Sequence, residues 1–99
     1  MSRRLEGKVA MITGAGTGIG EAIAHKFAKE GAAVVVNGLA DDPIEDVLQK
    51  IRHYSGKATA YAGDVSQEFH AQNCVQTAVN AYGKLDVLGN GDRGSGKGN

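Results

Sequence analysis

An α/β fold on a parallel sheet follows from three features of this 99-residue chain. Short apolar runs rich in β-branched residues alternate with longer segments of helical spacing, in the order β-α-β-α-β-α-β. The connections are short, which predicts right-handed crossovers between parallel strands. Glycine, with 15 residues, is over-used, and Gly14, Gly16, Gly18 and Gly20 crowd between the first apolar run and the first helix. The strand order expected for such a unit is 3-2-1-4, with the reversal beside strand 1.

The first strand is Val9-Ala10-Met11-Ile12-Thr13, a continuous apolar run as a doubly covered strand requires. From Ile19 to Glu30, Ile19, Ala22, Ile23 and Phe27 follow helical spacing, Lys26, Lys29 and Glu30 form a solvated face, and Gly31 is the stop. Ala32-Ala33-Val34-Val35-Val36 is the second strand. Asp42-Pro43-Ile44-Glu45 has the form of a helix start, with Asp42 as cap, and Ile44, Val47, Leu48 and Ile51 supply the apolar stripe up to Ser55-Gly56. Ala58-Thr59-Ala60-Tyr61 is a weaker third strand. Ser66 is placed to cap a third helix that turns Ala71, Cys74, Val75, Ala78 and Tyr82 inward and stops at Gly83, and Leu85-Asp86-Val87-Leu88 is the fourth strand. After Leu88 no apolar residue remains, and residues 89–99 read as a Gly-rich flexible tail behind a domain of residues 1–88.

Composition narrows the function. Eleven basic residues balance 11 acidic ones, which removes the electrostatic reason to expect nucleic acid or an anionic membrane. The single cysteine, Cys74, forms no internal disulfide. No apolar run approaches the roughly 18 residues a membrane span needs, and Arg3-Arg4 is not followed by the apolar stretch of a signal peptide. A cytoplasmic protein is expected. His25, His53 and His70 have no metal-ligand pairing and read as solvated helix residues, and Cys74 as a small core residue.

The chemistry lies in the Gly-rich turn. Glycines bring the backbone close to a ligand without a Cβ in between, and the free N–H groups of the following helix face an anion. The alternative is a tight strand-to-helix connection with no ligand. The flanking strand, helix and second strand favour phosphate binding at the carboxyl end of strand 1, where a parallel sheet of this order holds its ligands.

Thr13-Gly14-Ala15-Gly16-Thr17-Gly18-Ile19-Gly20 fits T-G-x-x-x-G-x-G and resembles the short-chain dehydrogenase/reductase family. Leu5-Glu6-Gly7-Lys8-Val9, Gly63-Asp64-Val65 and Tyr82-Gly83-Lys84-Leu85-Asp86-Val87-Leu88 resemble three further family segments, so the likeness covers about residues 5–88. It implies a Rossmann-like NAD(P)-binding half of an oxidoreductase that moves hydride between the cofactor and an alcohol or carbonyl. Gly14, Gly16, Gly18 and Gly20 would form the pyrophosphate turn, with Thr17 and Ile19 contacting the phosphates and nicotinamide end. Asp64 would bond the adenine amino group, with Val65 beside the ring. Asn37 to Leu39 would lie near the adenosine ribose, and Asn90 matches the family's N-N-A-G segment. Asn37, Gly38 and Leu39 include neither the acid that favours NAD nor the base that favours NADP. Asp41 and Asp42 make the surroundings acidic and tilt the expectation to NAD, although helix capping also accounts for Asp42.

The resemblance stops after strand 4. Gly89-Asn90-Gly91-Asp92-Arg93 stands where N-N-A-G is expected; only Asn90 matches, and Gly91 replaces the second Asn. The family's chemistry uses a serine and a Tyr-x-x-x-Lys pair, but the residues four after Tyr54, Tyr61 and Tyr82 are Ala58, Val65 and Asp86. The chain is therefore expected to bind cofactor without performing the reaction alone. A non-catalytic dinucleotide-binding module and a fragment without independent function are the alternatives. An open strand-4 edge is also expected to favour self-association.

Overall fold

The computed structural model describes residues 4–91. The expected tail from residue 92 onward lies outside the described residues. Four parallel strands, β1 (Val9–Thr13), β2 (Ala33–Gly38), β3 (Lys57–Ala62) and β4 (Val87–Asn90), alternate with helices α1 (Gly18–Lys29), α2 (Ile44–His53) and α3 (Glu68–Tyr82). The sheet order is β3-β2-β1-β4, with Val9 opposite Ala33 and Ala10 opposite Val87. This is the expected α/β, Rossmann-like arrangement.

The alternation of side chains along β1 and β2 sorts the core into two layers. Ala10, Ile12, Val34 and Val36 pack against α1 and α2, while Val9, Met11, Ala33 and Val35 pack against Cys74 and Ala78 of α3. Both central strands are thereby buried on both faces, which explains their unbroken apolar sequence. The stripe Ile44, Val47, Leu48 and Ile51 is buried as its spacing predicts.

Four local expectations are corrected. In α1, Ile19 is 71% exposed, and the helix touches the sheet through Gly20, Ala24 and Ala28 instead. These small residues, spaced by one turn, let the helix axis approach the strands closely. Asp42 does not cap α2: Pro43 holds the cap position without a side-chain bond, and Asp42 Oδ2 accepts from Leu39 N–H at 2.8 Å. Ser66 likewise does not cap α3, since Gln67 stands there, and Ser66 N–H donates back to Asp64 Oδ1 at 3.0 Å. In both loops an aspartate satisfies a nearby amide in a turn before the helix begins. Within α3, Cys74 and Ala78 are fully buried but Val75 is 38% exposed.

The fourth strand starts two residues later than expected. Asp86 acts before it as a clamp, donating its N–H to Val9 O at 2.8 Å and accepting Val9 N–H on Oδ2 at 2.9 Å. That backbone bond, assisted by Lys84, holds the Asp86 carboxyl below its usual range. Pairing with β1 then carries β4 through Gly89 and Asn90. Leu88, on this edge strand, is 63% exposed.

Cys74 is buried between α3 and the sheet, and desolvation pushes its thiol up to about 11. Since the thiolate is the reactive form, the folded chain is expected to resist a thiol reagent near pH 8 and to react quickly once denaturant is added. Rapid stoichiometric labelling of the folded chain would show that α3 does not cover this face.

Candidate functional site

The carboxyl ends of all four strands lie on one side of the sheet, and the loops there carry the candidate residues. Successive connections run from β1 to β2 in one direction and from β3 to β4 in the other. The reversal leaves a crevice beside β1, and the Gly14–Gly20 segment begins there.

The turn is tied to β2 by Ala15 N–H, which donates to Asn37 O at 2.7 Å. Ala15 and Gly16 are buried beneath it, whereas Thr17, Gly18 and Ile19 are exposed. Gly18, at φ +60°, takes a left-handed conformation that L side chains rarely adopt. Gly20 is required for contact rather than for conformation, because a Cβ there would overlap the Gly14 carbonyl oxygen. The α1 amino terminus has no side-chain cap bond, so its first N–H groups face outward with the positive end of the helix dipole.

Gly91 completes the turn from the other side. Its N–H donates to Thr13 O at 2.9 Å, and a Cβ on it would overlap Gly20 Cα. Sequence reasoning assigned this residue to the tail. No local sequence signal marks this role, which comes from the pairing of Asn90, the last residue of β4, with Thr13.

The remaining candidates spread along the crevice. Asn37 is 2% exposed, and its amide donates to Tyr61 O and Gly63 O, both at 3.0 Å. Its side chain therefore braces β2 against the end of β3. Leu39, 53% exposed, projects beyond β2. Asp64 follows β3, two strands from β1 and hence about 10 Å across the sheet. It is exposed, and hydrogen bonding from Ser66 holds its carboxyl below the usual range. Val65 is half-buried against the α3 layer.

Two of the histidines depart from the solvated reading. His25 Nδ1 is 2.8 Å from Tyr54 Oη, and His70 Nδ1 is 2.7 Å from Tyr61 Oη. Among the described residues no three His, Cys, Asp or Glu side chains could hold a metal ion. No helix among them is long and apolar enough to cross a membrane. A concavity of about 550 Å³ lies at the opposite, amino-terminal end of the sheet, lined by Gly7, Ala32 and Lys57 among others, away from these loops.

The residues present suit a dinucleotide. They offer a Gly-rich turn at the carboxyl end of β1, an uncapped helix end, an exposed apolar Ile19, and a carboxylate at Asp64 further along the strand ends.

Comparison with known proteins bears on the same segments. A family model described as short chain dehydrogenase matches residues 8–94. An uncharacterized oxidoreductase of Methylorubrum extorquens is 51% identical over 88 residues, covering 88% of this chain and 36% of that protein. The crystal structure of a hydroxysteroid dehydrogenase from Escherichia coli has a TM-score of 0.84 at 41% identity, covering 88% of this chain and 37% of the other. A 7α-hydroxysteroid dehydrogenase complexed with NADH and 7-oxo glycochenodeoxycholic acid has a TM-score of 0.82 at 40% identity, covering 88% and 34%. The chain thus spans about a third of the length of the proteins it matches.

Proposed function

The chain belongs to the short-chain dehydrogenase family, and on that footing we propose that residues 4–91 form the NAD(P)-binding portion of an oxidoreductase. The observation that carries this reading is the contact of Gly20 with the Gly14 carbonyl beneath an uncapped helix end. It brings the α1 N–H groups to the carboxyl end of β1, where a pyrophosphate needs donors and no side chains.

In this reading Gly14, Gly16, Thr17, Gly18 and Gly20 bind the pyrophosphate. Exposed Ile19 lies under the nicotinamide end, and Asp64 and Val65 take the adenine. Asn37 holds the floor of the ribose site rather than touching the ligand, and Asn90 borders the crevice from β4. A bound nicotinamide cofactor supplies or accepts a hydride. The chain's own residues bind and orient it, with NAD preferred to NADP. Hydride exchange with an alcohol or carbonyl group is proposed for the whole protein, supported by the oxidoreductase and dehydrogenase names of the relatives. A cytoplasmic setting belongs to the same proposal. The exposed Leu88 on β4 supports association through that edge.

The test is a fluorescence titration of NADH, with circular dichroism on the same sample. The chain has no tryptophan to contribute background emission. Saturable binding with Kd in the micromolar range, about 1–100 μM, is expected. A folded sample that does not bind would contradict the proposal.

A further inference from the structure

We propose a second binding site at the amino-terminal end of the sheet, apart from the dinucleotide crevice. There Lys29, Ser55 and Lys57 hold the carboxylate of a small apolar acid, and Ala28, Ala32 and Tyr54 pack against its body. These residues line one concavity of about 550 Å³. That volume is in the range of small-molecule sites, which combine an apolar lining with a few convergent polar groups.

The lining divides in this way. Ala28, at the end of α1, and Ala32, just before β2, are small and buried. Tyr54 follows α2 and is half-buried. Two contacts fix its ring: Oη is 2.8 Å from His25 Nδ1, and Lys29 Nζ lies 5.4 Å from the ring centroid. The second is a cation–π contact, which keeps one ammonium beside the concavity. Lys57 opens β3 and brings another from a different element. Complementing the dipole of α1 accounts for Lys29, but Lys57 stands on a strand.

The local charge suits an anion. Two lysines of the lining stand against one acid, Glu6. Past Lys29 and Tyr54 the surface continues into a groove lined by Lys50 and His53. Two acids of this helix layer are already paired, Glu21 with Lys50 at 3.4 Å and Glu30 with Lys26 at 3.0 Å.

Ser55 gives independent support. Among the described residues it is the one non-glycine with positive φ, at +70°. It directly follows the α2 cap residue, where Ser55 N–H donates to Arg52 O at 3.0 Å and Gly56 N–H to Ile51 O at 2.9 Å. A helix ending of this form favours glycine at that position, and α1 has Gly31 there, at φ +102°. Serine holds the same backbone at a cost in stability, and it adds a hydroxyl to the lining.

The probe is 3-phenylpropanoate, compared with its neutral amide and followed in ¹H–¹⁵N spectra of the labelled full chain. Binding with a Kd of roughly 0.1–1 mM is expected. The largest shifts should fall at Gly7, Gly31, Ser55 and Lys57, with little change from Gly14 to Gly20. The amide is expected to bind about tenfold more weakly, and K29Q and K57Q should each weaken the acid about threefold. K50Q, outside the lining, should leave its affinity unchanged. S55G is expected to raise Tm by about 4 °C by relieving the left-handed serine and to weaken the acid about threefold. A serine with only a structural role would leave that affinity unchanged, and this result would overturn the assignment. Equal affinity for acid and amide would also overturn it, as would shifts confined to the Gly-rich turn or no response at about 10 mM acid. NADH affinity should be the same in every variant, so failure here leaves the dinucleotide reading standing.

Discussion

Replacing Gly20 with alanine is expected to abolish dinucleotide binding and to destabilise the fold by about 3 kcal/mol. The added methyl would overlap the Gly14 carbonyl oxygen and stand 2.5 Å from its carbon. Neither obstacle is a mobile side chain. The carbonyl belongs to the turn, and the turn is fixed by the bond from Ala15 N–H to Asn37 O. Gly91 packs on Gly20 from the β4 side, which closes the other route for relief. The helix can accept the methyl only by moving away from the strand, and that moves the α1 N–H groups from the carboxyl end of β1. Parallel urea melts and NADH titrations of the variant check both effects. A G20A chain that binds like the original would show that α1 does not approach the turn as closely as described.

Truncating Ile51 to alanine should have the largest effect on stability, about 2–5 kcal/mol. Ile51 is fully buried with Val47 and Leu48, where α2 lies on the sheet. Its surroundings resist collapse into the cavity. Gly56 N–H donates to Ile51 O at 2.9 Å and holds the chain that leads into β3. A domain of this size has only about 5–15 kcal/mol to lose, so the substitution removes a large share. The urea midpoint should fall by about 2 M or more at an unchanged slope, since m is about 1 kcal/mol/M for a small protein. A drop below about 0.5 M would place the core elsewhere. NADH affinity should be retained by whatever fraction stays folded, because Ile51 lies beneath the sheet and not in the crevice.

Much of the architecture was legible because its cause is local. Val34-Val35-Val36 is apolar without interruption because β2 is covered on both faces, and Ile44, Val47, Leu48 and Ile51 recur at helical spacing because one face of α2 is buried. The errors arise where contact distance or pairing decides. Hydropathy places Ile19 and Ala22 inward, but the sheet is met by Gly20, Ala24 and Ala28, whose merit is smallness. Gly89-Asn90-Gly91 has the composition of a linker. The strand character of Gly89 and Asn90 comes from pairing with β1, some 77 residues earlier in the chain, and no local window contains that information. The two capping expectations failed for a related reason. Asp42 satisfies a nearer backbone amide, that of Leu39, and Ser66 is held in a turn by its own N–H donating to Asp64 Oδ1.

The site divides in the same way. The Gly-rich turn is readable because glycine spacing and flanking elements are local signals. The ribose end is not, because Asn37 looks like a ligand-binding amide in sequence and is spent on Tyr61 and Gly63 in the fold. Asp42 looks like a helix cap and instead fills the space between Gly16 and Gly38.

The most direct test of the central claim is a ¹H–¹⁵N correlation spectrum of the labelled chain, recorded with and without NADH. The account predicts the largest shifts at the backbone N–H groups of Gly14 to Gly20, with a second group at Asp64 and Val65 and little change at Glu6, Gly7 and Lys57 at the far end of the sheet. A well-dispersed spectrum that does not respond to NADH, or that responds only at that far end, would contradict it.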